Sequence, residues 1–265
     1  MEILGCFLAL FIGVLLSILG GGGSILTVPV LVYIFMLPPG IATAYSLLIV
    51  GFISAIASLT YFKRGLVSPK TALFFSFPSF AMVFITRKYI LPQIPDRIAQ
   101  VGSLVIEKNH LIMILFAVLM LIASRSMIMS RKKVVNDIES VTRNMNYGLI
   151  FLEGLLVGIL TGFVGVGGGF LIIPVLTNFL KLPMKLAVGT SLMIIAINSL
   201  IGFLGDLGQF EIDFQFLIKF IGLALIGVFL GIKIQKKLKN EQLKPAFGWF
   251  TLIVSIIILI KDFWR

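Results

Sequence analysis

Residues 165–176 read Gly-Val-Gly-Gly-Gly-Phe-Leu-Ile-Ile-Pro-Val-Leu, and residues 20–31 read Gly-Gly-Gly-Gly-Ser-Ile-Leu-Thr-Val-Pro-Val-Leu. The two stretches align without a gap at an offset of 145 residues. In each stretch, a proline follows the first glycine of a glycine cluster by nine residues. Shared hydrophobicity does not explain such coinciding glycine and proline positions. The pattern therefore indicates an internal repeat.

The same offset aligns further polar and proline positions downstream of the glycines. Leu37-Pro38 falls on Leu182-Pro183, and Ser46-Leu47 falls on Ser191-Leu192. The sequence thus predicts two homologous halves. They are residues 1–130 and residues 147–265, joined by a basic linker of residues 131–146 that we predict to be cytoplasmic.

Composition places both halves in a lipid bilayer. Of the 265 residues, 59% are hydrophobic and only 12% are charged, whereas a soluble domain has about 25% charged residues. The formal charge of +11 comes from short basic runs between apolar stretches, which is typical of cytoplasmic loops and not of a nucleic-acid groove. The single cysteine, Cys6, excludes an internal disulfide.

Each half is predicted to be all α-helical, with a span, a glycine-rich break, a short apolar segment and three further spans. The spans predicted from apolar stretches are 2–19, 24–36, 41–62, 70–92 and 110–129 in the first half, and 147–164, 169–180, 185–205, 214–235 and 246–263 in the second. The short segments 24–36 and 169–180 reach only about 20 Å, less than the bilayer core of about 30 Å. We expect them to be re-entrant.

Loop charges indicate how the chain behaves at each glycine break. If the chain reverses there, 14 Lys and Arg residues fall on one face and six on the other, namely Arg87, Lys88, Arg97, Lys108, Lys261 and Arg265. If each broken pair forms one long crossing, the split is 11 to 9. Cytoplasmic loops carry the excess of basic residues. The sequence therefore predicts helical hairpins, two inverted repeats, and both termini outside the cell membrane.

The glycine clusters are the first candidate site. A helix that starts after a break presents unpaired N–H groups and the positive end of its dipole, so each break can bind an anion without a lysine. The alternative is that the glycines only allow close helix packing. The candidate residues are Gly20, Gly22, Gly23, Ser24, Gly165, Gly167, Gly168 and Gly169.

Hydroxyl and amide side chains after each Leu-Pro corner form a second candidate group. They could donate hydrogen bonds to a bound oxyanion, or they could bond carbonyls of their own or a neighbouring helix. These candidates are Tyr45, Ser46, Thr190, Ser191 and Asn198, with Ser54 and Ser199 in the same region.

Few ionisable groups are expected inside the membrane. Glu153 is a candidate for coupling transport to a proton, and Lys219 could balance a bound anion, although both could also reach the headgroup region. The sequence has one histidine and no paired intramembrane aspartates. It therefore predicts neither an enzyme, nor a metal site, nor a cofactor.

The sequence resembles the sulfite exporter TauE/SafE family of permeases at these motifs. The resemblance rests on residues 162–169 with Pro174, on the degenerate copy 20–29, and on residues 187–192. It implies transport of small sulfur-containing anions of the sulfite, thiosulfate, sulfoacetate or taurine type. Gly21, Ser24 and Ala44-Tyr45 depart from the pattern in the first half, so we expect the two half-sites to contribute unequally.

The leading prediction is a secondary transporter for a small anion in the inner membrane, working by alternating access of its repeats. An anion channel, a carboxylate transporter of the same fold and a non-transporting membrane scaffold are the alternatives. We expect a small anionic substrate and membrane lipid as partners, and no nucleic acid. A homodimer is compatible with the sequence.

Overall fold

The computed structural model of the protein describes residues 2–95, 97–101, 104–129, 147–165, 167–209, 212–238 and 240–263. The predicted linker, residues 131–146, lies outside this part of the chain. The first half contains α1 (Glu2–Leu19), α2 (Gly22–Tyr33), α3 (Pro39–Phe62), α4 (Pro69–Ile85, continued by a π-helical turn Thr86–Ile90 and a last turn Leu91–Gln93), β1 (Arg97–Val101), β2 (Leu104–Glu107) and α5 (Lys108–Met129). The second half contains α6 (Tyr147–Val164), α7 (Gly169–Pro174, continued by a π-helical turn Val175–Phe179), α8 (Met184–Asp206), α9 (Phe214–Lys237) and α10 (Asn240–Phe263).

The predicted all-α polytopic membrane fold is confirmed. Within the described residues, α3, α4, α5, α8 and α9 are long and apolar enough to cross a membrane. Large apolar side chains such as Phe7, Phe77 and Ile218 are more than 60% exposed, and so much exposed apolar surface is expected only where lipid covers it. One element was not predicted, the antiparallel hairpin of β1 and β2 between α4 and α5.

Backbone details recur at the offset of 145 residues. Helices start at residues 2 and 147, at 39 and 184, and at 69 and 214. Met36 and Lys181 both have a positive φ, of 55° and 57°, although neither is glycine. The turns at these residues close with equivalent hydrogen bonds, Leu37 N to Leu31 O and Leu182 N to Leu176 O. These pairs are what a duplicated chain is expected to show, although the repeat boundaries themselves stay a prediction.

Prolines determine where the long helices begin. Pro38 and Pro183 precede α3 and α8 with ψ values of 138° and 142°, and the carbonyl of each accepts the first helical hydrogen bond, at 2.9 Å, from Ala42 or Ala187. Proline fits here because it has no N–H to satisfy and its φ suits a helix start.

The chain reverses direction at both glycine breaks. Gly23, at the start of α2, packs against Ile12 and Leu16 of α1, and Gly168, just before α7, packs against Thr161 of α6. A straight helix would separate Gly23 and Ile12 by about 16 Å. The first broken pair is therefore a helical hairpin and not one long crossing, and the chain also turns sharply at the second break.

The two central spans, α3 and α8, are the most buried and run antiparallel. Leu47 contacts Gly202, Gly51 contacts Leu200, and Tyr61 contacts Gly189, so the residue number falls along α8 as it rises along α3. Because α3 and α8 are the equivalent spans of the two halves, this packing supports the inverted-repeat prediction. The continuous-crossing alternative would make them parallel.

The remaining helices pair across the halves through small residues. In α6, Gly154, Gly158 and Gly162 contact Phe75, Ser79 and Thr86 of α4 in register. In α9, Gly227 and Gly231 lie against the α1 backbone in the same way. Glycines four residues apart let two membrane helices approach closely. The halves thus enclose the α3–α8 pair between an α1–α9 pair and an α6–α4 pair.

Candidate functional site

Four glycines at the breaks have backbone conformations that other residues rarely adopt. The φ angles are +68° at Gly20, +69° at Gly165, +69° at Gly167 and +73° at Gly168. Glycine reaches such angles without steric cost because it has no Cβ. Among the described residues, the second break therefore has three left-handed glycines where the first has one, so the two breaks differ in backbone conformation.

The two breaks touch each other. A Cβ on Gly21 would overlap the backbone of Gly169, and a Cβ on Gly169 would overlap Gly21. Gly167 and Gly169 also lie against Ile195, and Gly167 lies against Val50. Val50 and Ile195 are central residues of α3 and α8, so the breaks meet halfway along the two buried spans.

Each break also packs on the central span of the opposite half. Gly20 contacts Val188 and the Ser191 hydroxyl of α8, whereas Gly165 contacts Thr43 of α3. Val188 and Thr43 are equivalent positions in the two halves.

Four of the predicted polar residues use their side chains within the protein. Ser24 Oγ donates to Gly21 O at 2.6 Å, and Ser191 Oγ donates to Val188 O at 2.9 Å. Thr190 Oγ1 accepts from Ser68 N at 3.0 Å, and Tyr45 OH accepts from Asp213 N at 2.7 Å. In this conformation these four side chains therefore bond backbone groups of the protein, which is the alternative to binding an oxyanion.

Other predicted polar atoms have no partner among the described residues. Ser46 Oγ, Ser54 Oγ, Ser199 Oγ and Asn198 Oδ1 are all buried and unpaired there, while Asn198 Nδ2 donates to Ser79 Oγ at 2.7 Å. Ser199 Oγ faces Gly167. Buried polar atoms normally have a partner, so the unpaired Ser199 hydroxyl next to a glycine break is consistent with a site for a polar ligand.

One residue of this kind was not predicted. Thr161 Oγ1 faces Gly168, is buried, and has no partner in the described part of the chain. The hydroxyls of Thr161 and Ser199 therefore flank the second break.

The other predicted residues lie away from this contact. Gly22 starts α2, and Gly23 packs on α1 without facing α7. Glu153 is half-buried in α6 with Oε2 unpaired among the described residues, but it precedes Gly165 by 12 residues, about 18 Å along the helix. Lys219 is exposed on α9 and lines a separate cavity of about 360 Å³ with Asp213 and Phe35.

The count of basic loop residues on the two faces was wrong to include Arg87. It was counted among the exposed loop cations, yet its side chain is 0% exposed. Arg87 Nη1 donates to Asp206 Oδ2 at 2.8 Å and to Thr43 Oγ1 at 3.2 Å. Asp206, predicted in the outer acidic loop, is 2% exposed and ends α8. Without Arg87 the predicted split of basic residues becomes 14 to 5, which strengthens the predicted orientation.

The Arg87 guanidinium lies directly at the second glycine break. Its Nη2 atom occupies the space where a side chain at position 165 would stand. Nη2 and Nε of Arg87 and Oδ1 of Asp206 have no partner among the described residues. A buried arginine with unused donors thus faces the break, and this is the strongest electrostatic feature of the site.

The sequence does contain a signal for Arg87. It falls inside the predicted span 70–92, and on a helix it shares a face with Ser76, Ser79 and Val83. These three side chains are buried. An arginine that continues a stripe of small residues inside a span is a candidate for a functional buried charge.

No group of three or more His, Cys, Asp or Glu residues that could hold a metal ion occurs within the described ranges. Among the described residues, the unpaired donors at the second break are the hydroxyls of Thr161 and Ser199 and the Arg87 guanidinium. Such a set suits an oxyanion and not a cation.

Comparison with known proteins gives a consistent result. The model of the sulfite exporter TauE/SafE family matches residues 5–258. A probable membrane transporter protein of Xylella fastidiosa strain 9a5c is 26% identical over 257 residues, covering 96% of this chain and 92% of that protein. The probable membrane transporter protein YunE of Bacillus subtilis is 23% identical over 274 residues, covering 96% and 93%.

A shorter match is more similar. The probable membrane transporter protein MJ0441 of Methanocaldococcus jannaschii is 34% identical over 120 residues, covering 43% of this chain and 45% of that protein. No solved structure matches the chain significantly.

Proposed function

Because the chain belongs to the sulfite exporter TauE/SafE family, we propose that it is a secondary transporter for a small sulfur-containing oxyanion or organosulfonate. The coarser conclusion, a multi-pass membrane protein of a transporter family, follows from the family and from the apolar helices. The substrate and the mechanism are the proposal.

The contact between the two glycine breaks carries this proposal. Gly21 and Gly169 meet between α3 and α8, and unpaired donors surround the second break. Inverted-repeat transporters bind substrate near the membrane centre on interrupted helices. Irregular backbone at that depth is tolerated where it is buried in protein or lines a path for polar cargo.

Alternating access gives the break contact a mechanical role. With Gly21 against Gly169, there is no room for cargo between the two breaks at this contact. Movement of one hairpin relative to the other would open it toward one side of the membrane. The unpaired hydroxyls of Ser46, Ser199 and Thr161 would then donate to the oxyanion as it replaces water.

The proposed orientation has both termini outside the inner membrane. The antiparallel packing of α3 and α8 and the excess of basic residues on one face support it. In this orientation Gly65 and the preceding basic residues lie in the cytoplasm, and Gln209 lies outside.

Reconstitution into proteoliposomes tests the proposal. We expect saturable counterflow of sulfite, thiosulfate or taurine, and a thermal stabilisation of the purified protein by the same anions. Large ohmic currents without counterflow would indicate a channel. Transport of carboxylates alone would indicate a carboxylate transporter of the same fold. Neither binding nor transport of any anion would favour the non-transporting scaffold.

A further inference from the structure

We propose that Arg87 is the charged contact of the transported oxyanion, and that the Asp206 carboxylate holds the guanidinium while the site is empty. This inference rests on the proposed function, because it names a residue that binds the cargo. Neither residue was among those predicted from the glycine and hydroxyl motifs.

The hydrogen bonds of Arg87 leave one edge of its guanidinium unused. Nη1 donates to Asp206 Oδ2 and to Thr43 Oγ1, while Nε and Nη2 have no partner in the described part of the chain. Nε–H and one Nη2–H point in parallel from the same edge of the group. That edge binds two oxygens of a carboxylate, sulfonate or phosphate in a fork.

The free edge lies where the cargo is proposed to pass. Nη2 is seated on the side-chain face of Gly165, and a side chain there would displace the guanidinium. The glycine at position 165 thus serves two purposes, since it also has a φ of +69°. An anion at this edge would lie beside the second break.

The Asp206 carboxylate balances the positive charge of the buried Arg87 guanidinium. Both groups are almost completely buried, and an isolated buried charge is strongly unfavourable. Asp206 Oδ1 is unpaired among the described residues, so the pair is joined through one oxygen and is not bidentate. An incoming oxyanion can therefore compete with Asp206 for the guanidinium.

The charged contact occurs in one half only. The positions equivalent to Arg87, Asp206 and Thr43 are Ile232, Tyr61 and Val188. Tyr61 OH donates to Ser17 O at 2.6 Å instead. The second break consequently has a cation that the first break lacks, and we infer one anion site per protein, displaced from the pseudo-twofold axis toward Gly165.

Variants of the pair test this inference through sulfite counterflow and sulfite binding. Arg87→Lys keeps the charge but loses the fork, and we expect the KM for sulfite to rise at least tenfold. Asp206→Asn removes the competing carboxylate, so we expect sulfite to bind at least several-fold more tightly while turnover slows. A merely structural role for Asp206 would not tighten binding.

Controls separate binding from folding. The double variant Arg87→Gln with Asp206→Asn replaces the ion pair by two amides that can bond each other, so we expect a folded protein, judged by thermal unfolding without ligand, that no longer binds sulfite. Lys88→Gln is the matched control, because Lys88 is the exposed neighbour with Nζ 5.2 Å from the centre of the Phe84 ring. It should transport as the unmodified protein does.

The outcomes distinguish this inference from the proposed function. Sulfite counterflow that persists in the double variant overturns the role of Arg87 and leaves the transporter proposal intact. Weaker sulfite binding in Asp206→Asn, or no effect of Arg87→Lys on KM, also contradicts it. An unmodified protein that moves neither sulfite, thiosulfate nor taurine overturns both.

Discussion

Replacing Gly21 with alanine tests the contact between the two breaks separately from other effects of glycine. Gly21 has φ −75° and ψ −10°, a conformation that alanine adopts without strain. A Cβ there would lie 2.5 Å from Gly169 Cα, whereas carbon atoms in contact stay ~3.5–4.0 Å apart. The Gly169 carbonyl carbon lies closer still, so the two breaks must separate by at least about 1 Å to admit one methyl group.

The expected cost follows from this displacement. Overpacking of a buried contact costs about 1–3 kcal/mol, which lowers the unfolding temperature of a chain of this size by about 2–10 °C. Thermal unfolding of the purified protein in detergent measures it. The closed contact forms in each transport cycle under the proposed mechanism. Where its formation limits the rate, counterflow should slow by about tenfold for each 1.4 kcal/mol added to that barrier.

Two other glycines are matched controls. Gly222 is exposed on α9 with nothing within 4 Å of a built Cβ, so Gly222→Ala should stabilise by about 0.5–1 kcal/mol through helix propensity. Gly65 has open space but a φ of +67°, so Gly65→Ala should lose about 1–2 kcal/mol through backbone strain alone. If Gly21→Ala unfolds at or above the temperature of Gly222→Ala, the close approach of the breaks is refuted.

Three further predictions concern single side chains. Ser199→Ala removes a buried hydroxyl with no partner among the described residues, so we expect unfolding within about 0.5 kcal/mol of the unmodified protein but several-fold weaker sulfite binding; equal binding would exclude a ligand contact. Tyr45→Phe breaks the 2.7 Å bond from Asp213 N and should cost about 1 kcal/mol of unfolding free energy, while an unchanged unfolding temperature would count against that bond. In a Cys6→Ser background, Gln209→Cys should react in intact cells with a membrane-impermeant maleimide and Lys63→Cys should not, whereas the reverse pattern would invert the proposed orientation.

Much of the fold could be predicted because short sequence features determine where its helices begin and end. The Leu-Pro corners predicted helix starts near residues 41 and 185, and α3 and α8 begin at Pro39 and Met184. The segment lengths predicted half-depth helices, and α2 and α7 are short. Glycine, proline and uninterrupted apolar length act on the chain locally, so the sequence alone reveals them.

The β-hairpin was missed although its sequence carries a weak signal. Residues 98–101 and 104–106 are short runs containing β-branched residues on either side of Gly-Ser, a pattern typical of a hairpin. In a chain dominated by long apolar helices, this segment was interpreted as a connection. Its presence shifts α5 out of the 145-residue offset, since α5 begins at Lys108 and α10 at Asn240.

The Arg87–Asp206 pair could not be predicted from local rules. Its members are 119 residues apart, and a count of loop charges assumes that a basic residue near the end of a span is solvated. Lys88, the next residue, is exposed as that assumption requires. Which of two adjacent cations turns inward depends on the packing of α4 against α6 and α8.

The hydroxyl candidates show a similar limit. Ser46 and Ser191 are equivalent positions with the same side chain, yet Ser191 bonds Val188 O while Ser46 has no partner among the described residues. Rotation of a side chain by one rotamer separates these two outcomes. No spacing rule distinguishes them.

The placement of the ion pair in one half has a consequence for the resting state. Under the proposed mechanism, two identical inverted repeats would make the outward-open and inward-open forms equivalent by a twofold rotation and equal in free energy. The Arg87–Asp206 ion pair joins α4 to α8, whereas the equivalent positions, Ile232 and Tyr61, cannot form an ion pair. The two forms therefore differ in free energy. Under the proposed mechanism, the protein without cargo therefore favours one of the two forms, and the Arg87–Asp206 ion pair is one cause of that preference.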